Sequence, residues 1–407
     1  MNTNKWIFPV VLLCVMANVL PVYAAANIEA SQRSVKPGPR PGITGVKVKD
    51  LQALLAAQPQ LEFGASKVKA ISGLPRLYGV TAQVLKRHAS DKQIMALLKL
   101  YERDANKGNI TALWNMGKCY DVGLGVKQDS SEALNWYRKA ALKGDADAEN
   151  QLGYHYANGI VVTQSWSEAI GWYRKAALKG DASAQLNLAW RYQQGTGVAQ
   201  DDVQAAAWFG KSAQQGYPEA QYELGVAYLR GKGVTQDDVT AVNWLRKASA
   251  QHQEDAQNLL GELIRDGRAG MQANDAEAIT LFKVAATENA AAAFNFGAML
   301  ESGRAVEENI PEAIYWYSRA ADQGNASAQL RMGELYAEGE VLPETLEETA
   351  RFYRSAAKQG NAEAQYRLAL LLQNGTGVTM NQAEAAEWLG KAAKQGHAEA
   401  RKAQAGI

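Results

Sequence analysis

The chain has 407 residues, 47% of them hydrophobic, and its 43 Lys and Arg against 42 Asp and Glu leave a formal charge of +1. That balance excludes the strong basic field that nucleic-acid binding calls for. Four histidines and two cysteines, scattered along the chain, give none of the spacings that hold zinc.

In chain order, residues 1–24 read as a secretory leader: Lys5, the apolar run "WIFPVVLLCVMANVL", then small residues in "VYAAA". The apolar run is shorter than the ~20 residues a membrane span needs, and cleavage is expected after Ala24 or Ala26. Leu13 stands before Cys14 where a lipidated cysteine requires a small residue, so signal-peptidase cleavage is favoured over acylation. Residues 25–72 mix Pro, Gly and Lys, as in "SVKPGPRPG", and read as a tether with one short helix candidate, "KDLQALLAAQ". Residues 73–108 resemble a degenerate copy of the repeating unit that begins at residue 109 and are assigned as an N-terminal cap.

From residue 109 the chain repeats itself. Gly117, Gly153, Ala189, Gly225, Gly261, Gly297, Gly333 and Ala369 stand 36 positions apart, with alanine five residues before each and glycine six residues after each. A fixed period of this length marks a stacked repeat architecture. Within each copy, apolar positions such as Ala148, Leu152 and Tyr156 have the spacing of one helical face, and Gly159 ends that helix. A second helix starts at Asp129, Ser165, Asp201, Asp237, Asn274, Asn309, Thr345 or Asn381, all residues that cap helix N–H groups. Glu or Gln three residues later completes a candidate reciprocal capping box in seven of the eight copies. Trp136, Trp172, Trp208, Trp244, Trp316 and Trp388 recur on the second helices and are expected to be buried between the two helix types. Asp145, Asp181 and Asn361 are expected to cap first helices, and Pro218 suits a first helical turn. Repeat five carries one inserted loop residue, Gly270 for the usual valine and Leu281 for tryptophan. "HAEARKAQAGI", residues 397–407, begins a ninth first helix and serves as a partial C-terminal cap.

These residues carry a resemblance to a known family. The pattern A-x-x-x-x-G-x-x-Y-x-x-G-x-G-V-x-x-D-x-x-x-A-x-x-W-Y-R-K-A-A-x-x-G, seen in residues 109–144 and recurring to 396, resembles the Sel-one-like repeat family, a branch of the tetratricopeptide-type α-solenoids. The resemblance implies an all-α, right-handed solenoid of eight 36-residue helix-turn-helix repeats with degenerate caps. It also implies roles in envelope signalling, surface assembly, host contact or immunity against a toxin. With Cys14 removed, Cys119 has no partner in the chain, unlike the cysteine-rich branch of the family.

No catalytic set emerges. His88, His155, His252 and His397 are isolated. "GKS" at 210–212 lacks the upstream glycine of a phosphate loop and falls within a helix. S-x-x-K occurs at Ser66–Lys69 and Ser355–Lys358 without the K-T-G or S-D-N that accompanies it in penicillin-recognising enzymes. A β-lactamase-like hydrolase, an activity claimed for some family relatives, is therefore the alternative and not the reading. Neither metal nor cofactor is expected.

Binding remains. If first helices line the concave surface, the side opposite Ala148, Leu152 and Tyr156 offers Trp114, Lys118, Tyr154, Asn187, Trp190, Tyr222 and Arg230, with Phe294, Arg331, Tyr366 and Arg367 later on. Aromatic residues and Arg are the usual interface anchors. The alternative for Trp114 and Tyr222 is packing between neighbouring first helices. The expected protein is a periplasmic or secreted, non-catalytic scaffold that holds a protein or peptide partner through Tyr154, Trp190, Trp114, Tyr222, Asn187 and Arg230. It binds no nucleic acid and has no membrane span in the mature form.

Overall fold

The structure, a computed structural model, describes residues 76, 77, 82, 85, 86, 89–339, 341 and 346–405. The expected leader, the tether, Ser66, Lys69, His88 and Thr345 lie outside the described residues. Eighteen helices and no strand occur among the described residues. The chain divides into two compact units, Met1–Gln200 and Asp201–Ile407.

The first unit contains α1 (Asp91–Asn106), α2 (Ile110–Val122), α3 (Ser130–Leu142), α4 (Ala146–Asn158), α5 (Trp166–Leu178) and α6 (Ala182–Gln194). The second contains α7 (Asp202–Gln214), α8 (Pro218–Arg230), α9 (Asp238–Ser249), α10 (Glu254–Arg265), α11 (Asp275–Ala285) and α12 (Ala290–Glu301). It continues through α13 (Ile310–Asp322), α14 (Ala326–Ala337), α15 (Leu346–Lys358), α16 (Ala362–Asn374), α17 (Gln382–Lys394) and α18 (Ala398–Ala405). In each unit successive helices pack in chain order, giving the all-α solenoid of repeated helix pairs.

The caps fall where the sequence places them, with one difference. Asp145, Asp181 and Asn361 accept from the N–H three residues on, and Pro218 opens α8. At the second helices, Asp129, Ser165, Asp201, Asp237, Asn274, Asn309 and Asn381 do likewise. The reciprocal half of the capping box is absent there, because the cap residue's own N–H is already taken. Asp129 N–H donates to Tyr120 O, Ser165 to Tyr156 O and Asn309 to Leu300 O, tying each second helix to the end of its first. The Glu side chain instead accepts from the cap amide where that is asparagine, as in Asn309 Nδ2 to Glu312 Oε2 at 3.0 Å. The full reciprocal box forms at Ser90 and Gln93 ahead of α1.

The tryptophan ladder is corrected by the structure. Trp136, Trp172, Trp244, Trp316 and Trp388 are half-buried, and of the six only Trp208 is buried. The fully enclosed ring is the next residue: Tyr137, Tyr173, Phe209, Phe282 and Tyr317 are each at most 1% exposed. The small residue of the first helix explains this. A Cβ on Gly117 would stand 2.5 Å from Tyr137, on Gly153 2.5 Å from Tyr173, on Gly261 2.7 Å from Phe282 and on Gly333 2.5 Å from Tyr353. Each of these first helices thus leaves a slot that the second helix fills with an aromatic ring; at Gly225 the slot takes Leu245 instead. The tryptophan covers the pair from outside, and the lysine three residues on lies over its face: Lys139 on Trp136, Lys175 on Trp172, Lys211 on Trp208, Lys247 on Trp244 and Lys391 on Trp388, all within 3.8–4.0 Å of the ring centre. W-Y-R-K therefore encodes a cover, a core ring and a cation returning to the cover one helical turn later.

Repeat five absorbs its insertion locally. Ala269 and Gly270 adopt positive φ in the longer loop, and α11 is shorter, at 11 residues against the usual 13. The small-residue period is thereby restored by Gly297. Repeat five lies within the second unit.

At the end of the chain, His397 Nδ1 caps α18 by accepting from Ala400 N–H, and Nε2 then donates to Glu363 at 2.7 Å. Burial works against the Glu363 carboxylate, but bonds from His397 and Arg367 prevail and hold it below the usual carboxylate range. A carboxylate depressed in the fold stabilises it fully above the unfolded value of ~4.3 and loses that contribution as pH falls through the lower folded value. Denaturation midpoints should therefore drop below about pH 4, and Glu363→Gln should flatten that drop. An unchanged acid limb in the variant counts against the clasp.

Candidate functional site: the first-helix face

In the first unit this face is largely covered. Trp114 is fully buried, with its ring tilted against Tyr137 at 5.0 Å and the Arg76 guanidinium over it at 5.3 Å. Its indole N–H donates to the Leu77 carbonyl at 3.2 Å. Asn187 is fully buried and donates to Asn150 Oδ1, whose own Nδ2 donates to Asp181. Trp190 is buried, while Tyr154 is half-buried with its ring edge-on to His155. Lys118 makes a 2.9 Å ion pair with Asp121 under cover. Several of the anchors expected from the sequence are thus already packed within the chain.

The second unit keeps the equivalent face open. A cleft of about 520 Å³ is lined by Tyr222 and Arg230, together with Asp238, Asp255, Leu259, Glu262, Arg268 and others from α8, α9, α10 and α12. Tyr222 is half-buried and Arg230 sits at the end of α8, exposed. A polar network floors the cleft: Asn295 Nδ2 donates to Asn258 Oδ1 at 2.9 Å and to Glu262 Oε1 at 3.0 Å, and Arg265 donates to Asn295 Oδ1. The Asn150–Asn187 bond of the first unit uses the same two repeat positions as Asn258–Asn295. The sequence reading puts position 150 on this face but names neither Asn150 nor Asn258 as a contact, although their spacing to Asn187 and Asn295 is the same 37 residues in each case.

The later candidates are engaged in ion pairs or stacking. Arg331 bonds Glu301 and Glu334, Arg367 bonds Glu363, Tyr366 stacks on His397 at 4.7 Å and Phe294 packs on Tyr317 at 5.5 Å. His155 is buried against the Ile160 carbonyl, and His252 occupies a positive-φ junction where six of the other seven repeats place glycine. Ser355 lies on α15 and donates back to Arg351 O at 3.0 Å. Gly210, Lys211 and Ser212 are all inside α7. Among the described residues no group of three His, Cys, Asp or Glu side chains is arranged for a metal, and no helix is long and apolar enough to cross a membrane.

The 36-residue unit built from these faces matches the Sel1 repeat in eight consecutive copies, residues 110–145, 146–181, 182–217, 218–252, 254–289, 290–325, 326–361 and 362–397. The chain belongs to the Sel1 repeat family. It is similar to a protective antigen of uropathogenic Escherichia coli with an SLR fold, at 35% identity and a TM-score of 0.61, over 74% of this chain and 65% of the antigen. It thus spans just under two thirds of that protein. A Sel1 repeat protein from Oxalobacter formigenes is similar at 28% identity and a TM-score of 0.55, over 85% of this chain and 98% of its own. No curated protein matches the sequence significantly. Sel1 repeat proteins are generally protein-interaction scaffolds.

One Sel1 repeat residue serves as a reporter of the first unit. Cys119 on α2 is 1% exposed, and burial pushes its thiol up to about 12. Alkylation by iodoacetamide at pH 8 should be negligible in the native protein and complete in denaturant. Rapid native labelling would mean that α2 is not enclosed.

Proposed function

We propose that this Sel1 repeat protein is an exported, non-catalytic scaffold that captures an extended segment of another protein on its first-helix face. The observation that carries the reading is the second-unit cleft, where Tyr222 and Arg230 meet over the network of Asn258, Glu262 and Asn295. An aromatic anchor, a cation and fixed amides suit a peptide, whose backbone needs donors and acceptors and whose side chains need apolar cover. Asp238, Asp255 and Glu262 give the cleft an acidic side that favours a basic partner. In the first unit the same face carries Tyr154, half-buried, as its accessible contact, while Trp190, Trp114 and Asn187 are packed within the chain. Envelope signalling, surface assembly, host contact and toxin immunity all fit such a scaffold.

Export rests on the leader-like residues 1–24. The protein should be recovered in the periplasmic or secreted fraction with an N-terminus near Ala25 or Asn27. Recovery only in detergent, with residues 1–24 retained or Cys14 acylated, would overturn it. For the scaffold itself, the full mature protein should retain a specific partner from envelope extract, identified by mass spectrometry. Nitrocefin turnover by pure protein that is lost in Ser355→Ala or Ser66→Ala would establish a hydrolase instead.

A further inference from the structure

Three consecutive repeats place a basic residue just after the first helix and an aspartate at the first position of the preceding second helix: Lys232 with Asp202, Arg268 with Asp238, and Arg304 with Asp275. The outer two pairs close. Lys232 reaches Asp202 at 3.3 Å, and Arg304 grips Asp275 with two bonds of 2.6 and 3.0 Å. The middle pair stays open: among the described residues neither the Arg268 nor the Asp238 side chain makes an ion pair or a hydrogen bond. Asp266, which feels the Arg268 charge, is bonded by Arg265 instead.

The open pair lines the cleft, and so does Arg230, the last residue of α8, which likewise makes no ion pair. First helices of consecutive repeats run the same way, so both exposed guanidinium groups lie at the C-terminal end of the cleft. Asp255 and Asn289, joined by a 2.8 Å bond, mark its other end at the starts of α10 and α12. Val226, Leu229, Leu259 and Leu263 give the cleft its apolar wall. Two guanidinium groups beside an apolar wall suit a carboxylate, which arginine binds with paired hydrogen bonds. A phosphate suits the place poorly, because Asp238, Asp255 and Glu262 in the same cleft repel a dianion. A chain terminus fits better than an acidic side chain. From one Cα it presents a carboxylate to the arginines, a side chain to the wall and an N–H donor to the Asp238 carboxylate.

We infer that the cleft takes the C-terminal end of its partner, with the terminal carboxylate on Arg230 and Arg268 and basic residues upstream on Asp255 and Glu262. Such end-specific capture presupposes that the cleft is a peptide site, and gives that site a direction. The 12 residues of α10 make it about 18 Å long, a distance that five or six extended residues span.

Selection from a random hexapeptide library, half free acids and half C-terminal amides, on the immobilised full chain tests it, with mass spectrometry of the retained peptides. Free acids should be retained about tenfold over amides, the worth of a charged hydrogen bond, with Lys and Arg enriched towards their N-terminal ends. Arg230→Gln combined with Arg268→Gln should abolish the preference for acids and keep that for basic residues; both arginines are exposed, so the fold is not at stake. Lys232→Gln, which removes the corresponding cation outside the cleft, should change neither preference. Equal retention of acids and amides, even with Asp or Glu enriched within the amides, would overturn the inference. So would an acid preference that survives the double variant or is lost equally in Lys232→Gln. If amides are retained as well as acids but both are lost in Tyr222→Ala, peptide capture by the cleft stands and only the terminal carboxylate falls. Retention no greater than in Tyr222→Ala would remove both.

Discussion

Tyr173→Ala is expected to cost ~3–5 kcal/mol in denaturant unfolding, the usual loss for a large aromatic removed from a core, whereas Trp172→Ala beside it should cost only about 1–2 kcal/mol for a half-buried ring and its lysine contact. The difference follows from enclosure. Tyr173 has no exposed surface and fills the slot left by Gly153, while Trp172 is half-buried beneath Lys175. Gly153→Ala should itself destabilise, because its Cβ would stand 2.5 Å from the Tyr173 ring and overpacking outweighs the helix-propensity gain of alanine. Combining it with Tyr173→Leu should recover stability relative to the sum of the single changes, by the ~0.5–3 kcal/mol expected of touching residues. Repeat eight already uses that pair, with Ala369 and Leu389. Equal losses for Trp172→Ala and Tyr173→Ala, or additivity in the cycle, would show that the slot is not the unit of packing.

The second large effect concerns capture of a partner. Tyr222→Ala should weaken the complex about thirtyfold, corresponding to the ~2 kcal/mol that an interface anchor carries. Asp255→Lys should weaken a basic partner further and steepen the loss with added salt. Neither change should alter helicity or unfolding by more than a small margin, since Tyr222 is half-buried and Asp255 lines an open cleft. Titration of the identified partner by calorimetry measures both. Unchanged affinity in both variants would place the interface elsewhere. Trp190→Ala is a poorer probe, because Trp190 is buried and its removal would disturb packing together with any contact.

The sequence by itself determined the repeat. Period, glycine stops and cap residues are local instructions, each acting within a turn or two of helix, so they are legible without tertiary knowledge. Asp145, Asp181 and Pro218 do in space what their types and positions imply. Helical periodicity likewise fixes which positions lie opposite Ala148, Leu152 and Tyr156, but not whether they are open: Asn150 is buried and Tyr154 half-buried.

What only the tertiary structure decided depends on contacts between residues far apart in the chain. Tryptophan outranks tyrosine in bulk, yet the slot at Gly153 meets position 173 and not 172, a matter of how two helices face one another. The reciprocal capping bond was lost because a carbonyl of the preceding helix reaches the cap N–H first. Trp114 and Tyr222 share one repeat position, but Trp114 is sealed beneath Arg76 and Leu77 while Tyr222 lines a cleft. Nothing in the 36-residue pattern distinguishes them. The distinction comes from a segment outside the repeats that lies over one copy of the pattern, and a periodic sequence carries no record of which of its equal faces will be covered.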